Sequence, residues 1–537
     1  MDVGKYILAM YDIRAKQDYI YRSNKIKEIM GGSYIIRDCF EDCLFPAAEK
    51  VSVEEQKEGG CKKYVGKGIF TYKRGNTLGE PAEFTRENFA KRISEGYLGE
   101  VVYDGGGNFF VLYKDARVYR QVNRWFYHLL LEKTYSLRVL TTYIDHIDFE
   151  NYQDDQQRIY MKHQKWEQKE SMLGPVNTLP VVQTDYRTSL PLSKIQQIGD
   201  RKEKITYESW RKYEKYKEIY NDSANREIQI QIEGSDKLDN LITEKGEESL
   251  LAVIYIDGNN MGAQVENCLK KLKKATGEPD RSYEACVKAL REFSDQIQEH
   301  YIDKRINNVD EFLKKKEYMR RRFIVYAGDE VTFICNARNA YHVALEYLKK
   351  LGDESPDGKP RTSCAGIAVF HSHAPFREAY RIAEECCESA KKLMKEEHIE
   401  NASLVDFHYC QGAFGTSLEE IRKKEETENS SRPWFVNYYE SEKEIENSGL
   451  INGKYCTCET VQAMKKMLDK IGRGNIKNLA LSAKKGAADF KAELERICAH
   501  QKEKKIDFSL NGILDDEMQR KLIYDMTIVY DIWFREE

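Results

Sequence analysis

Residues 323–335 read FIVYAGDEVTFIC, two apolar runs that meet at Gly328-Asp329, and this stretch decides the fold. β-Branched and aromatic residues on both sides of a short glycine-containing loop predict a tight β-hairpin. Upstream, SLLAVIYID (249–257) is an apolar run of strand length, followed by helical segments to about residue 303. Downstream come a helix (about 338–351), the strand TSCAGIAVF (362–370), a helix (about 376–396) and a strand at SLVDF (403–407). The order β-α-β-β-α-β is the split βαβ, ferredoxin-like arrangement.

The same order is written at the N-terminus. YILAMYDI (6–13) is a strand, and Ala15–Met30 has helical spacing that Gly31-Gly32 is expected to stop. A second helix is expected from Ser33 to about Lys50, then the glycine hairpin EVVYDGGGNFFVLY (100–113), a helix (about 115–133) and the strand SLRVLTTYID (136–145). Aligned on their turns, Tyr103, Gly105-Gly106-Gly107 and Phe110 fall on Tyr326, Gly328-Asp329-Glu330 and Phe333. An internal duplication of this kind predicts two domains of one architecture. The expected class is α+β, with ferredoxin-like domains at 1–149 and 248–410. Between them lies a polar helical connector, 150–247, with one extended piece, LPVVQTDYRTSLPL (179–192). A charged helical domain, 411–537, follows, with the turn SSRPWF (430–435) near its start.

Composition agrees and excludes some classes. A chain of 537 residues holds about three or four domains. With 41% hydrophobic residues and only ten prolines, it is a folded protein rather than a disordered one. Lys and Arg number 85 against 89 Asp and Glu, so the chain has no global electrostatic grip on nucleic acid, although a local basic groove is compatible with it. No run of eighteen apolar residues predicts a membrane span, and no basic segment precedes an apolar one as in a signal peptide. The thirteen cysteines form no CxxC pair, which points to a reduced, cytoplasmic protein without a structural zinc site.

Chemistry gathers where the second unit's strand and hairpin turn meet. Asp257 ends the strand, and Asp329-Glu330 occupy the turn. Neighbouring strands lie only about 4.8 Å apart, so these carboxylates can share divalent cations. Mg²⁺ or Mn²⁺ held by one or two carboxylates and substrate phosphates could activate an attacking hydroxyl and neutralise a phosphoryl group. A plain solvated Gly-Asp turn is the competing reading. After the strand, Gly258, Asn259, Asn260 and Gly262 are short residues at a helix start, where backbone N–H groups suit phosphate. Lys391 could reach a triphosphate or simply face solvent.

These residues together resemble the palm domain shared by GGDEF diguanylate cyclases and the large polymerase-like subunit of type III CRISPR effectors. AGDEV (327–331) matches the GG(D/E)EF pattern of the former and the GGDD pattern of the latter, and AEECCESAK (383–391) falls in register with A-D-x-A-L-Y-x-A-K. The CRISPR subunit is the closer likeness, because residues 6–38, the glycine hairpin, the connector, GIAVFHSHAPFREAYRIAE (366–384) and the Arg432-Pro433 turn resemble it in order. The resemblance implies a nucleotidyltransferase that makes a cyclic or short oligonucleotide messenger from nucleoside triphosphates such as ATP, in antiviral defence. It further implies Asp257, Asp329 and Glu330 as ligands of two Mg²⁺ (or Mn²⁺) ions and Lys391 as a triphosphate contact, with Gly258, Asn259, Asn260, Gly262 and Gly328 around the nucleotide. RNA and effector subunits are the implied partners, and the first palm is not expected to catalyse.

The departures are specific. Ala327 replaces the first glycine, Glu330 replaces the second aspartate, and the connector lacks the family's zinc cysteines, with Asp185 in a cysteine-like position. No histidine–aspartate nuclease domain precedes the first palm, so DNA is not an expected cleavage substrate. A catalytically impaired, RNA-sensing scaffold subunit is the alternative, and a templated polymerase is a third reading.

Overall fold

The computed structural model describes residues 6–58, 67–72, 84–105, 107–168, 181–198, 201–221, 241, 249–316, 320–353, 360–410, 412, 415–425, 430–439, 454–501 and 506–535. Two compact units divide the chain: Met1–Ile230 with Met261–Glu299, and Gln231–Asn260 with His300–Glu537.

The first unit is built on β1 (Ile7–Arg14), β2 (Ile69–Phe70), β3 (Gly99–Gly105), β4 (Asn108–Tyr113) and β5 (Arg138–Ile144), in the order β2-β3-β4-β1-β5. Setting aside the two-residue β2, this is the expected split βαβ sheet; Gly106 of its turn lies outside the described residues. Both faces are buried, which explains why YILAMYDI reads as a continuous apolar run. Ala9, Tyr11, Val111 and Tyr113 face one core, while Leu8, Met10, Phe110 and Leu112 face the other.

The second of those cores contains a surprise. Leu269, Tyr283, Cys286, Val287 and Leu290 belong to it. The helices Met261–Lys270 and Tyr283–Ile297, expected in the second domain, therefore pack on the first sheet. Arg291 anchors the longer one. Its guanidinium donates to the carbonyls of Val101 (2.6 Å) and Val102 (3.0 Å) and lies 3.7 Å from the fully buried Glu100. Those carbonyls need a donor because β2 pairs with β3 only at Gly99 and Glu100.

Gly31-Gly32 does not stop a helix. One helix runs Ile26–Arg37 straight through the pair, followed by a π-helical turn at Phe40–Leu44 and a helix Phe45–Glu58, instead of a single helix from Ser33. The glycines serve packing. A Cβ at Gly31 would lie 1.8 Å from the backbone oxygen of Lys212, on the connector helix Tyr207–Asn221. At Gly32 it would meet only the flexible Lys212 Cε, at 3.3 Å, and Ile20 Cα, at 3.4 Å. Gly→Ala inside a helix normally gains about 1 kcal/mol, but overpacking against fixed backbone costs about 3 kcal/mol. Gly31→Ala should therefore lower the melting temperature while Gly32→Ala stays near neutral. If the pair were merely a helix stop, both variants would be equally tolerated in a thermal melt.

In its described residues the connector holds a strand pair as well as helices. After the helix Tyr152–Glu167 it forms a ribbon of β6 (Leu192–Ile198) and β7 (Arg201–Thr206), so its extended pairing starts where the anticipated piece ends. In the described part of that piece, the Asp185 carboxylate accepts from the Thr188 N–H (3.1 Å) and hydroxyl (3.0 Å), closing the turn.

The second sheet contains β8 (Leu250–Gly258), β9 (Arg321–Ala327), β10 (Glu330–Asn336), β11 (Ser363–His371), β12 (Ala402–Tyr409) and β13 (Trp434–Tyr438), in the order β13-β12-β11-β8-β10-β9. Its β11-β8-β10-β9 part repeats the first sheet's topology. β12 adds parallel to β11, and β13 pairs antiparallel with β12, so the sheet extends beyond the expected boundary at 410. The helices Cys458–Leu468, Arg473–Lys485, Ala487–His500 and Asp516–Val529 follow. Among the described residues, no helix is long and apolar enough to cross a membrane.

Candidate active site

β8 is flanked by β10 and β11, and the site lies at its C-terminal end. Ile256 pairs with Val331, which brings Glu330 level with Asp257, while Asp257 itself pairs with Cys364 on β11. The β9–β10 turn is as tight as the sequence predicts: Ala327 pairs with Glu330, leaving only Gly328 and Asp329 between them. Gly328 has φ +65°, the conformation a hairpin turn needs and glycine supplies most easily. A Cβ there would meet nothing within 4 Å, so the glycine serves backbone conformation.

Asp257 and Asp329 come together. Burial, followed by the charge of Asp257, pushes the Asp329 carboxyl up to about 6, against its own backbone N–H and Lys391. Lys391, from the helix Phe376–Glu396, pairs with the Asp257 carboxylate and donates to the Gly258 carbonyl at 2.9 Å. Burial opposes its charge, but Asp257 more than compensates and the ammonium is held above its usual range.

Two further groups belong here that sequence reasoning passed over. Tyr255, two residues before Asp257 and on the same side of β8, has its hydroxyl pushed far up by burial and then by Glu330 and Asp257, with Cys387 and Glu384 behind them. Glu384 is pushed up to about 7 by burial, Glu388, Glu385 and Asp257. Its spacing from Cys387 and Lys391, three and seven residues, is the signal that could have found it.

Other expected residues lie elsewhere. Asn259 is turned inward, 4% exposed, and its amide donates to Ala402 O (2.9 Å) and Thr362 Oγ1 (3.2 Å). Its backbone N–H is taken by Thr362 O at 3.1 Å, so Asn259 is a structural pin and not a phosphate ligand. Asn260 is exposed at φ +53°. Gly262 stands in the helix Met261–Lys270 of the first unit.

The donor set suits a hard cation of modest protein coordination. Among the described residues no three His, Cys, Asp or Glu side chains close around one point. Two neighbouring carboxylates, once both are ionised, are nevertheless as many protein ligands as Mg²⁺ uses when substrate phosphates complete its shell. Binding there requires Asp329 ionised. Mg²⁺ affinity should therefore fall roughly tenfold per pH unit below about pH 6, and thermal-shift titrations with MgCl₂ at pH 5, 6 and 7 would read it. The sign for the metal-free protein is opposite. A carboxyl raised in the folded state contributes stability below its ordinary value of 3.8 and loses it as pH rises through about 6.

The first sheet's equivalent is built differently. Asp12 accepts from Arg14 Nη1 at 2.9 Å and lies 3.1 Å from His163 Nε2. Burial raises its pKa, but those partners outweigh it and hold the carboxyl below the usual range. A Cβ at Gly107, φ +82°, would sit 1.7 Å from Lys16 Nζ. Protein cations thus fill the place where the second sheet has carboxylates.

Residues 250–399 match the family model described as Cas10/Cmr2, second palm domain. No curated protein matches the chain. Similar solved structures include a Csm1–Csm4 cassette in complex with cA4, 11% identical over 98% of this chain and 69% of that chain, with a TM-score of 0.44. The cassette with cA3 is also 11% identical, over 97% and 70%, with a TM-score of 0.44. Csm1 in T. onnurineus is 12% identical, over 97% and 69%, with a TM-score of 0.38. Asp257, Asp329, Glu330 and Lys391 all lie within the segment that matches the second-palm model of Cas10/Cmr2.

Proposed function

We propose that the chain is a palm-domain nucleotidyltransferase that converts nucleoside triphosphates such as ATP into a cyclic or short oligonucleotide messenger, within a CRISPR-type antiviral effector that senses RNA. The observation that carries this reading is the Asp257–Asp329 carboxyl pair beneath Lys391. Asp257 and Asp329 would hold Mg²⁺ or Mn²⁺, with Glu330 beside them. Bound there, the ion would supply charge neutralisation and help activate a ribose hydroxyl. Lys391 is already charged and would exchange Asp257 for the triphosphate. The hydroxyl attacks an α-phosphate, a P–O bond forms, and pyrophosphate leaves. Incubation with mixed triphosphates and Mg²⁺, with and without RNA, should release pyrophosphate and give short products without a primer–template. Absence of pyrophosphate in every condition would overturn the reading.

Three observations favour a second reading. Ala327, Glu330 and the lack of a closed three-carboxylate group among the described residues fit an impaired palm in a scaffold subunit. Such a palm would gain no Mg²⁺-dependent thermal stabilisation from ATP.

A further inference from the structure

We propose that Gly366 is a positioning residue for Lys391: its missing side chain lets the helix Phe376–Glu396 settle onto β11 at backbone contact, and that depth brings the lysine to Asp257. Gly366 sits in the middle of β11, paired with Tyr255 on β8 and Asp406 on β12. Cross-strand partners share a face, so Gly366, Tyr255, Cys364 and Asp257 lie on one side of the sheet. The helix covers that side: Tyr380 packs edge-on against Tyr255, with centroids 5.7 Å apart, and the Cys364 thiol lies 3.5 Å from Met394 Sδ.

The fit is closest at the glycine. A Cβ on Gly366 would lie 1.8 Å from Ala383 O and 2.6 Å from Cys387 N. Both are helix backbone atoms, so no rotamer change relieves the clash. Contacts below 3.0 Å are essentially never seen for a real Cβ, so the helix would have to lift or slide. Its inward residues are small in keeping with this seat: Ala379, Ala383, Cys386, Cys387 and Ala390 are all 0% exposed. Lys391 comes one turn after Cys387, and its ammonium spans the remaining gap to the Asp257 carboxylate and the Gly258 carbonyl. A glycine inside a strand otherwise weakens it, and its usual justification is another backbone passing close by.

The structural half of this inference stands without the proposed activity, whereas its triphosphate readout rests on that reading. Crystal structures of the wild-type full chain and Gly366→Ala address the first half. The helix should stand off in the variant, and Lys391 Nζ should leave Asp257. An unchanged ion pair would overturn the inference even if the protein turns over no nucleotide. For the second half, Gly366→Ala should raise the KM for ATP roughly tenfold with a smaller change in kcat. The same substitution in a Lys391→Ala background should add little, because both act on one contact. Additive effects would overturn the proposal. Ile367→Val, a neighbouring core change in the same strand, controls for general destabilisation and should leave KM unchanged. Ala390→Val is a milder wedge under the same helix and should reproduce the KM effect if Gly366→Ala does not fold. A wild-type KM in Ala390→Val would then overturn the proposal.

Discussion

Asp329→Ala should lower nucleotide turnover by roughly 100-fold or more while leaving the melting temperature unchanged or slightly higher. Without that carboxylate, only Asp257 and Glu330 face any metal–triphosphate complex, and Lys391 keeps Asp257 in an ion pair. Stability moves the other way. Above about pH 6 the ionised Asp329 sits half-buried against the Asp257 carboxylate, and removing it relieves repulsion. Asp12→Ala is the matched control in the first sheet. It removes one partner each from Arg14 and His163 but touches no candidate catalytic group, so turnover should stay within a few-fold of wild type. An ordinary structural turn predicts that Asp329→Ala loses melting temperature and activity in parallel, with Mg²⁺ affinity intact. Melting, turnover and Mg²⁺ titration on the two variants decide it.

Asp525→Ala should destabilise the second unit by about 3–5 kcal/mol. Asp525 lies on the helix Asp516–Val529, fully buried, 3.0 Å from Arg432 Nε. The same carboxylate accepts from the Ser431 N–H (2.5 Å) and hydroxyl (2.7 Å). Arg432 in turn donates to Phe407 O on β12 and stacks on the Phe407 ring, 4.6 Å from its centroid. Truncation removes the carboxylate that pairs with a buried guanidinium and leaves a buried N–H without this acceptor, which costs more than an average core change. The midpoint of the second unit's thermal transition should fall by roughly 10 °C. Asp525→Asn keeps an acceptor for Ser431 and should lose less. An Asn variant as stable as wild type would show that the charge contributes nothing.

How far residues announce their place depends on whether the deciding interaction is local. The AGDE hairpin is local: a glycine with positive φ between β-branched and aromatic flanks has few other uses. Its neighbourhood with Asp257 follows from strand order alone, so the Asp257–Asp329 pair was legible before any coordinates. The helix Tyr283–Ile297 was not. Its apolar stripe says that it packs, yet nothing in the stripe says on which of two similar sheets, and the choice is made by Arg291 meeting Glu100. Gly31-Gly32 looked like punctuation because a glycine's role in close helix packing depends on a partner 180 residues away in the chain, at Lys212. Asn259 illustrates the same limit within the site. A short polar residue after a strand suits a phosphate loop and a buried hydrogen bond equally well, and only the nearness of Thr362 and Ala402 distinguishes them.

The interleaved chain path has a consequence for biosynthesis. A nascent polypeptide emerging from the ribosome passes through β1 to β7, then the strand bearing Asp257, before Leu269 to Leu290 appear to complete the core on one face of the first sheet. β8 is therefore synthesised early but must wait for β10 and β11, its partners, which lie beyond residue 329. During that interval an apolar strand with two open edges has nothing to pair with, the condition under which strands aggregate. Ribosomes stalled with Leu290 outside the exit tunnel but β10 still inside it should protect the first unit from protease while leaving 249–258 cleavable, and only chains whose helix Asp516–Val529 has emerged should protect both.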